Sequence, residues 1–311
     1  MSASGGTKAV VAALLANLGI AVSKFVAFAF TGSSSMLAEG VHSVADSGNQ
    51  VLLLVGGRRA RRAANDEHPF GYGRARYIYA FIVSIVLFSL GGVFALYEGW
   101  HKISHPEELT SPAWAFGVLG VAIVLEAFSL RTAVRESNHL RGEAPWNRFV
   151  RGAKAPELPV VLLEDSGALA GLVFALAGVT AAVVTGDGRW DGVGSLAIGA
   201  LLVAIAAFLA VEMNSLLLGE SGTAEHVAAV RSAIEAGADV ERIIHLKTLH
   251  LGPDELLVAA KIAVRHDDSA AAVARAIDDA ESRIRAAVPI ARVIYLEPDI
   301  DRTTSAPAPV D

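Results

Sequence analysis

His42 and Asp46 stand four residues apart inside a hydrophobic run from about Ser35 to Val55. Residues i and i+4 of a helix lie one above the other on the same face. An imidazole and a carboxylate so placed are two ready ligands for a divalent transition metal. Ionisable side chains within a membrane span are costly, and by default they mark an ion or proton pathway. The plain alternative is a buried His–Asp contact that only ties helices together. Asn49 is a further candidate ligand; with Gln50 it otherwise reads as a hydrogen-bonding group between helices. Glu39, three residues before His42, extends the same face. It reads equally as part of an ion path or as the partner of Lys24.

A second run, near Leu158–Thr185, carries Glu164 and Asp165. Asp165 is a candidate metal ligand. Glu164 points about 100° away from it on a helix, so it suits a neighbouring base or proton carrier, or a further ligand. Glu126, in another run, reads as a site residue, as an interfacial group, or as a partner of Arg131.

These residues need elements that hold them in a bilayer. Hydrophobic residues make up 53% of the chain and charged residues 19%, with a mean hydropathy of +0.47. Six runs approach the roughly 20 apolar residues that cross a membrane. They are Ala9–Phe30, Ser35–Gly57, Arg76–Ile103, Ala113–Thr132, Leu158–Thr185 and Asp191–Leu218. The expected fold is therefore an α-helical membrane protein: a six-helix transport domain over residues 1–219, then a small α+β cytoplasmic domain over 220–299. Residues 300–311 read as a disordered tail. The first span suits a signal anchor rather than a cleaved signal peptide.

Arginine and lysine set the topology. Arg58, Arg59, Arg61, Arg62 and Arg74 lie between spans two and three, and Arg135, Arg141, Arg148, Arg151 and Lys154 between spans four and five. The other connections are poor in basic residues, so both termini are expected in the cytoplasm. At 1.5 Å per residue, Asn17, Asp46, Glu126 and Asp165 then fall in one layer roughly 10–14 Å from that face, with His42 one turn deeper. Dense glycines (Gly91, Gly92, Gly167, Gly171, Gly178, Gly192, Gly194, Gly199) predict close helix packing.

The soluble segment reads α-β-β-α-β: Ala224–Ala236, Ile243–Leu251, Glu255–Val264, Ala270–Val288 and Ala291–Glu297. Such a sheet with two helices is a common dimerisation module. His226, His245, His250 and His266, with Asp254, Asp267 and Asp268, lack a strong ligand spacing and read first as ordinary strand or surface residues.

The absence of cysteine excludes thiolate metal sites. Any metal must use His, Asp, Glu, Asn, backbone or water, which suits zinc, manganese, iron(II), cobalt or nickel better than copper(I). The net charge of −6 gives no sign of nucleic acid. There is no His-Glu-x-x-His pair and no Gly-x-Ser-x-Gly elbow, so no enzyme and no cofactor are expected.

SMLAEGVHSVADSGNQVLLL, HPFGYGRARY, LLEDSGALAGLVFAL and LKTLHLGPDELLVAAKIAV together resemble the cation diffusion facilitator family over nearly the whole chain. The resemblance implies a homodimer of six-helix protomers that exports a divalent metal, most often zinc, usually in exchange for protons. It implies two ligands on span two, matched by His42 and Asp46, and two on span five, the second matched by Asp165. The other span-five position is Val161, which cannot bind a metal. Glu164, Glu126, Asn17, Asn49 or water completes the shell, or the site is altered; a transport-inactive scaffold is the reading Val161 favours. Metal binding needs neutral His42 and ionised carboxylates, so metal and protons exclude one another. The composition suggests a bacterial plasma membrane.

Overall fold

The computed structural model describes residues 3–106 and 112–300. Of the tail expected over residues 300–311, all but Ile300 lies outside them. Two compact units emerge: one of residues up to Arg62 and of Ala75–Asn214, and one of Ala63–Arg74 and the chain from Ser215 on.

The first unit is helical. It comprises α1 (Ala3–Thr31), α2 (Ser34–Ala60), α3 (Ala75–Val86), a π-helical segment Leu87–Val93, α4 (Phe94–Ser104), α5 (Pro112–Arg141), the short α6 (Trp146–Gly152), α7 (Glu157–Thr185) and most of α8 (Arg189–Leu218). Four helical stretches among the described residues are long and apolar enough to cross a membrane: Ala75–Ser104, Pro112–His139, Glu157–Thr185 and Arg189–Leu218. In α1 the apolar part so described is the shorter Asn17–Thr31. α2 has 27 residues, enough for about 40 Å at 1.5 Å per residue, but polar side chains dilute its hydropathy. Val44, Val51 and Val55 of α2 are exposed while His42, Asp46, Asn49, Gln50 and Leu53 are buried. This is an apolar outside around a polar stripe, the arrangement a lipid solvent requires.

α1 and α2 meet in a two-residue turn. Gly32 takes the left-handed conformation at φ +62°, and Ser33 caps α2 by accepting from the Met36 N–H. The start of α2 is then gripped by α8. Asp191, fully buried, accepts from Ser33 Oγ at 2.9 Å, from the Ser34 N–H at 2.8 Å and from Ser34 Oγ at 3.1 Å. A carboxylate against the first amides of a helix satisfies orphan donors and complements the helix dipole.

The glycines expected to pack helices do so, and Gly99, not among those expected, joins them. A Cβ on Gly99 would lie 2.7 Å from the Gly192 carbonyl oxygen, and one on Gly199 would lie 2.9 Å from that of Gly92. The two pairs, each seven residues apart along its helix, bring the π-helix–α4 rod and α8 into backbone contact.

The second unit carries α9 (Ala224–Glu235), β1 (Arg242–Gly252), β2 (Glu255–Ala263), α10 (Ala270–Ala287) and β3 (Ala291–Asp299). The expected α-β-β-α-β order is present, with each boundary within two residues. The sheet order is β1-β2-β3, with β1 antiparallel and β3 parallel to β2. Val230 and Ile234 of α9, Ala280 and Ile284 of α10, and Leu256, Val258, Ile262 and Ile294 of the sheet share one core. The segment 63–74 belongs to this unit: Gly73 lies so close to Leu251 and Gly252 that a Cβ would come 2.7 Å from the Leu251 carbonyl oxygen.

Candidate metal site in the helical unit

The site is built on the polar stripe of α2. His42, Asp46, Asn49 and Gln50 follow the i, i+4, i+7, i+8 pattern that keeps one helix face. All four are buried. His42 Nδ1 approaches Asp46 Oδ1 at 3.4 Å, yet neither atom has a hydrogen bond. His42 Nε2, Asn49 Oδ1 and Gln50 Oε1 also have none. Buried polar atoms are nearly always partnered, so a run of open ones on a single helix face calls for an explanation. A divalent cation is a partner that suits such ligand-type atoms.

α7 supplies the facing carboxylates. Asn49 Nδ2 donates to Glu164 Oε1 at 2.6 Å, which joins the two helices. Asp165 Oδ2 accepts from Ser129 Oγ of α5 at 2.8 Å. Glu126, also on α5, is buried. Asp46 lies within electrostatic reach of Glu164, Glu126 and Asp165. The expected residues thus gather in one region, but each α7 carboxylate is turned to its own partner. Among the described residues, no three His, Asp or Glu side chains converge tightly enough to hold a metal as they stand. Asn17 is buried in α1; Val161 is only half-buried.

The π-helical segment borders the same site. Gly91 lies beside His42, with its hypothetical Cβ 3.6 Å from Nδ1. π-helical turns inside α-helices occur often at functional sites.

Reasoning from the sequence missed two contributors. Ser129 left no signal beyond its position three residues after Glu126. The Asp191 grip on Ser33 and Ser34 was legible in principle, because a serine run after a glycine is a helix-start signature. The pairing of Lys24 with Glu39, held open above, is present at 2.9 Å.

Residues 10–218 match the cation efflux transmembrane domain. The chain belongs to the cation efflux family. The resemblance drawn from the sequence motifs stands on that ground, and so does the reading as a multi-pass membrane transporter rather than an enzyme. The chain is 31% identical over 242 residues to the mouse protein named proton-coupled zinc antiporter SLC30A9, mitochondrial, covering 77% of this chain and 42% of that protein. It is 29% identical over 259 residues to metal tolerance protein C4 of Arabidopsis thaliana, covering 82% of this chain and 56% of the relative. Similarity to magnetosome protein MamB of Magnetospira sp. (strain QH-2) is 30% over 111 residues, 36% of this chain and 37% of the relative. The chain therefore spans about half the length, or less, of the first two relatives.

Proposed function

We propose that this cation efflux protein exchanges a divalent transition metal, zinc first, for protons, and binds the ion between α2 and α7. His42 and Asp46 supply two ligands and Asp165 a third, with Glu164, Glu126, Asn49 or water filling the shell. The observation that carries this reading is the row of buried, unpartnered ligand atoms on α2 facing the carboxylates of α7. The zinc antiporters among the relatives support the choice of metal and of proton exchange. A manganese, iron(II) or cobalt transporter of the same fold is the neighbouring reading.

To load the site, Asp165 leaves Ser129 and turns toward His42 and Asp46. A divalent ion supplies the charge that draws these carboxylates together. The ligands bind metal only when deprotonated, so each metal displaces protons and each proton excludes metal. In a protomer that alternates its access, this competition is exchange. We further propose six spans, with α1 and α2 added to the four apolar helices, both termini cytoplasmic, and the protein in a bacterial plasma membrane. Residues 1–219 form the transport domain, and residues 220–299, together with membrane helices, join two protomers as a homodimer.

A second reading has one observation behind it. Val161 stands where a fourth ligand is expected, which suits a scaffold that keeps the fold and moves no metal. Flux of zinc, manganese, iron(II) and cobalt into proteoliposomes under a pH gradient separates the two. Antiport predicts gradient-dependent flux of at least one metal, abolished by Asp46→Ala. Folded protein that moves none of the four metals would be the scaffold.

A further inference from the structure

The ion pair between Lys24 of α1 and Glu39 of α2 has no part in the site just described. Neither side chain has any exposed surface. Lys24 Nζ donates to Glu39 Oε2 at 2.9 Å and to Ser43 Oγ at 2.8 Å. Two oxygens on consecutive turns of α2 thus converge on one cation. The second carboxylate oxygen, Glu39 Oε1, is buried without a hydrogen bond. It faces α7 at Gly171, where a Cβ would come within 2.5 Å of it. A pair that served only to tie helices would gain by satisfying that oxygen too, because an unpartnered buried acceptor is costly. Glu39 lies one turn from His42 on the same face, toward the Ser33 end of α2. Lys24 is within electrostatic reach of His42, Asp46 and Glu126.

We propose that Glu39 and Ser43 form a second subsite for the transported divalent cation, which Lys24 fills as a tethered stand-in. The proposal rests on the metal-transport reading and extends it along the path toward the Ser33 end. The ammonium is held by a carboxylate oxygen and a hydroxyl oxygen, both of them acceptors that a divalent ion takes as ligands. Glu39 Oε1 is the acceptor that the ammonium leaves open. A divalent ion moving on from His42 brings twice the charge of Lys24 and displaces it. Lys24 closes on Glu39 again once the ion has gone, which blocks its return.

The test uses the purified full chain, with zinc as the probe. Equilibrium binding counts zinc per protomer in wild type, Lys24→Gln, and Lys24→Gln combined with Glu39→Gln. Lys24→Gln is expected to bind one more zinc per protomer than wild type, and the added Glu39→Gln to remove it. Folded Lys24→Gln with wild-type stoichiometry overturns the proposal. The second arm replaces the pair by Lys24→Met with Glu39→Met, which leaves no buried charge and is the kind of exchange that folds tolerate. Its zinc flux is expected to fall at least tenfold while zinc binding at His42 and Asp46 persists. Wild-type flux from that protein also overturns the proposal and makes the pair a structural tie. If wild type itself moves no zinc, the transport reading fails, and the stoichiometry still decides the subsite.

Discussion

Asp165 and Val161 carry the sharpest consequences at the scale of single residues. Asp165 is held by Ser129 but is the facing carboxylate one turn along α7 from Val161. Asp165→Asn keeps the shape and the hydrogen-bonding capacity while removing the charge. Zinc flux is expected to drop at least tenfold in vesicles, with unfolding temperature in detergent unchanged. Val161→His supplies a second imidazole, on the same helix face as Asp165. Zinc affinity is expected to rise, because an added imidazole completes a tetrahedral shell; calorimetric titration reads it directly. No gain would mean that Val161 does not face the ion. Much of this was legible beforehand, because intramembrane charge is rare and each candidate stood out against its apolar surroundings. The partners were not: whether Asp165 faces His42 or Ser129 depends on helix rotation, which a sequence period fixes only to a fraction of a turn.

The helices pack by backbone approach, and that sets what each can tolerate. Gly99 and Gly192 each stand where a Cβ would meet the other's carbonyl oxygen at under 3 Å. Gly99→Leu is expected to separate α4 from α8 and to lower the midpoint of thermal unfolding in detergent by several degrees. Gly117→Leu, on α5 with open space at its Cβ, is the matched control and leaves the midpoint unchanged. The junction at Asp191 is the other constraint at this scale. Asp191→Ala leaves two serine hydroxyls and the Ser34 amide without their acceptor; each such loss costs about 1–3 kcal/mol in a buried setting. Chemical denaturation in detergent measures it. The glycine pattern predicted close packing but not which helices meet. That depends on pairings between residues about a hundred positions apart, such as Gly99 with Gly192, and one sequence holds no record of them.

Across the whole chain the helical unit and the sheet unit differ in what they bury. The sheet unit has an apolar core of its own, in which Ile234, Ile262 and Ile284 are fully buried. Ile234→Ala is expected to cost the soluble unit about 2–5 kcal/mol, the usual range for truncating a buried isoleucine; the denaturation midpoint of the full chain, followed through the strand signal, reports it. This unit was the most legible part of the sequence, because alternation along β1 and β2 and the Gly252-Pro253-Asp254 turn leave little choice of register. α2, expected as a span, is not among the four helices apolar enough to cross a membrane, because His42, Asp46, Asn49 and Gln50 interrupt its apolar residues.

The clamp of Asp191 on the first residues of α2 makes that end a fulcrum. At 1.5 Å per residue, Glu39 lies about 8 Å along the helix from Ser34, His42 about 12 Å and Asn49 about 22 Å. Any tilt of α2 about its fixed end therefore sweeps Asn49 nearly twice as far as His42 and almost three times as far as Glu39. Such a tilt would have its long arm at Asn49, beside Glu164, and its short arm at Glu39, beside Lys24.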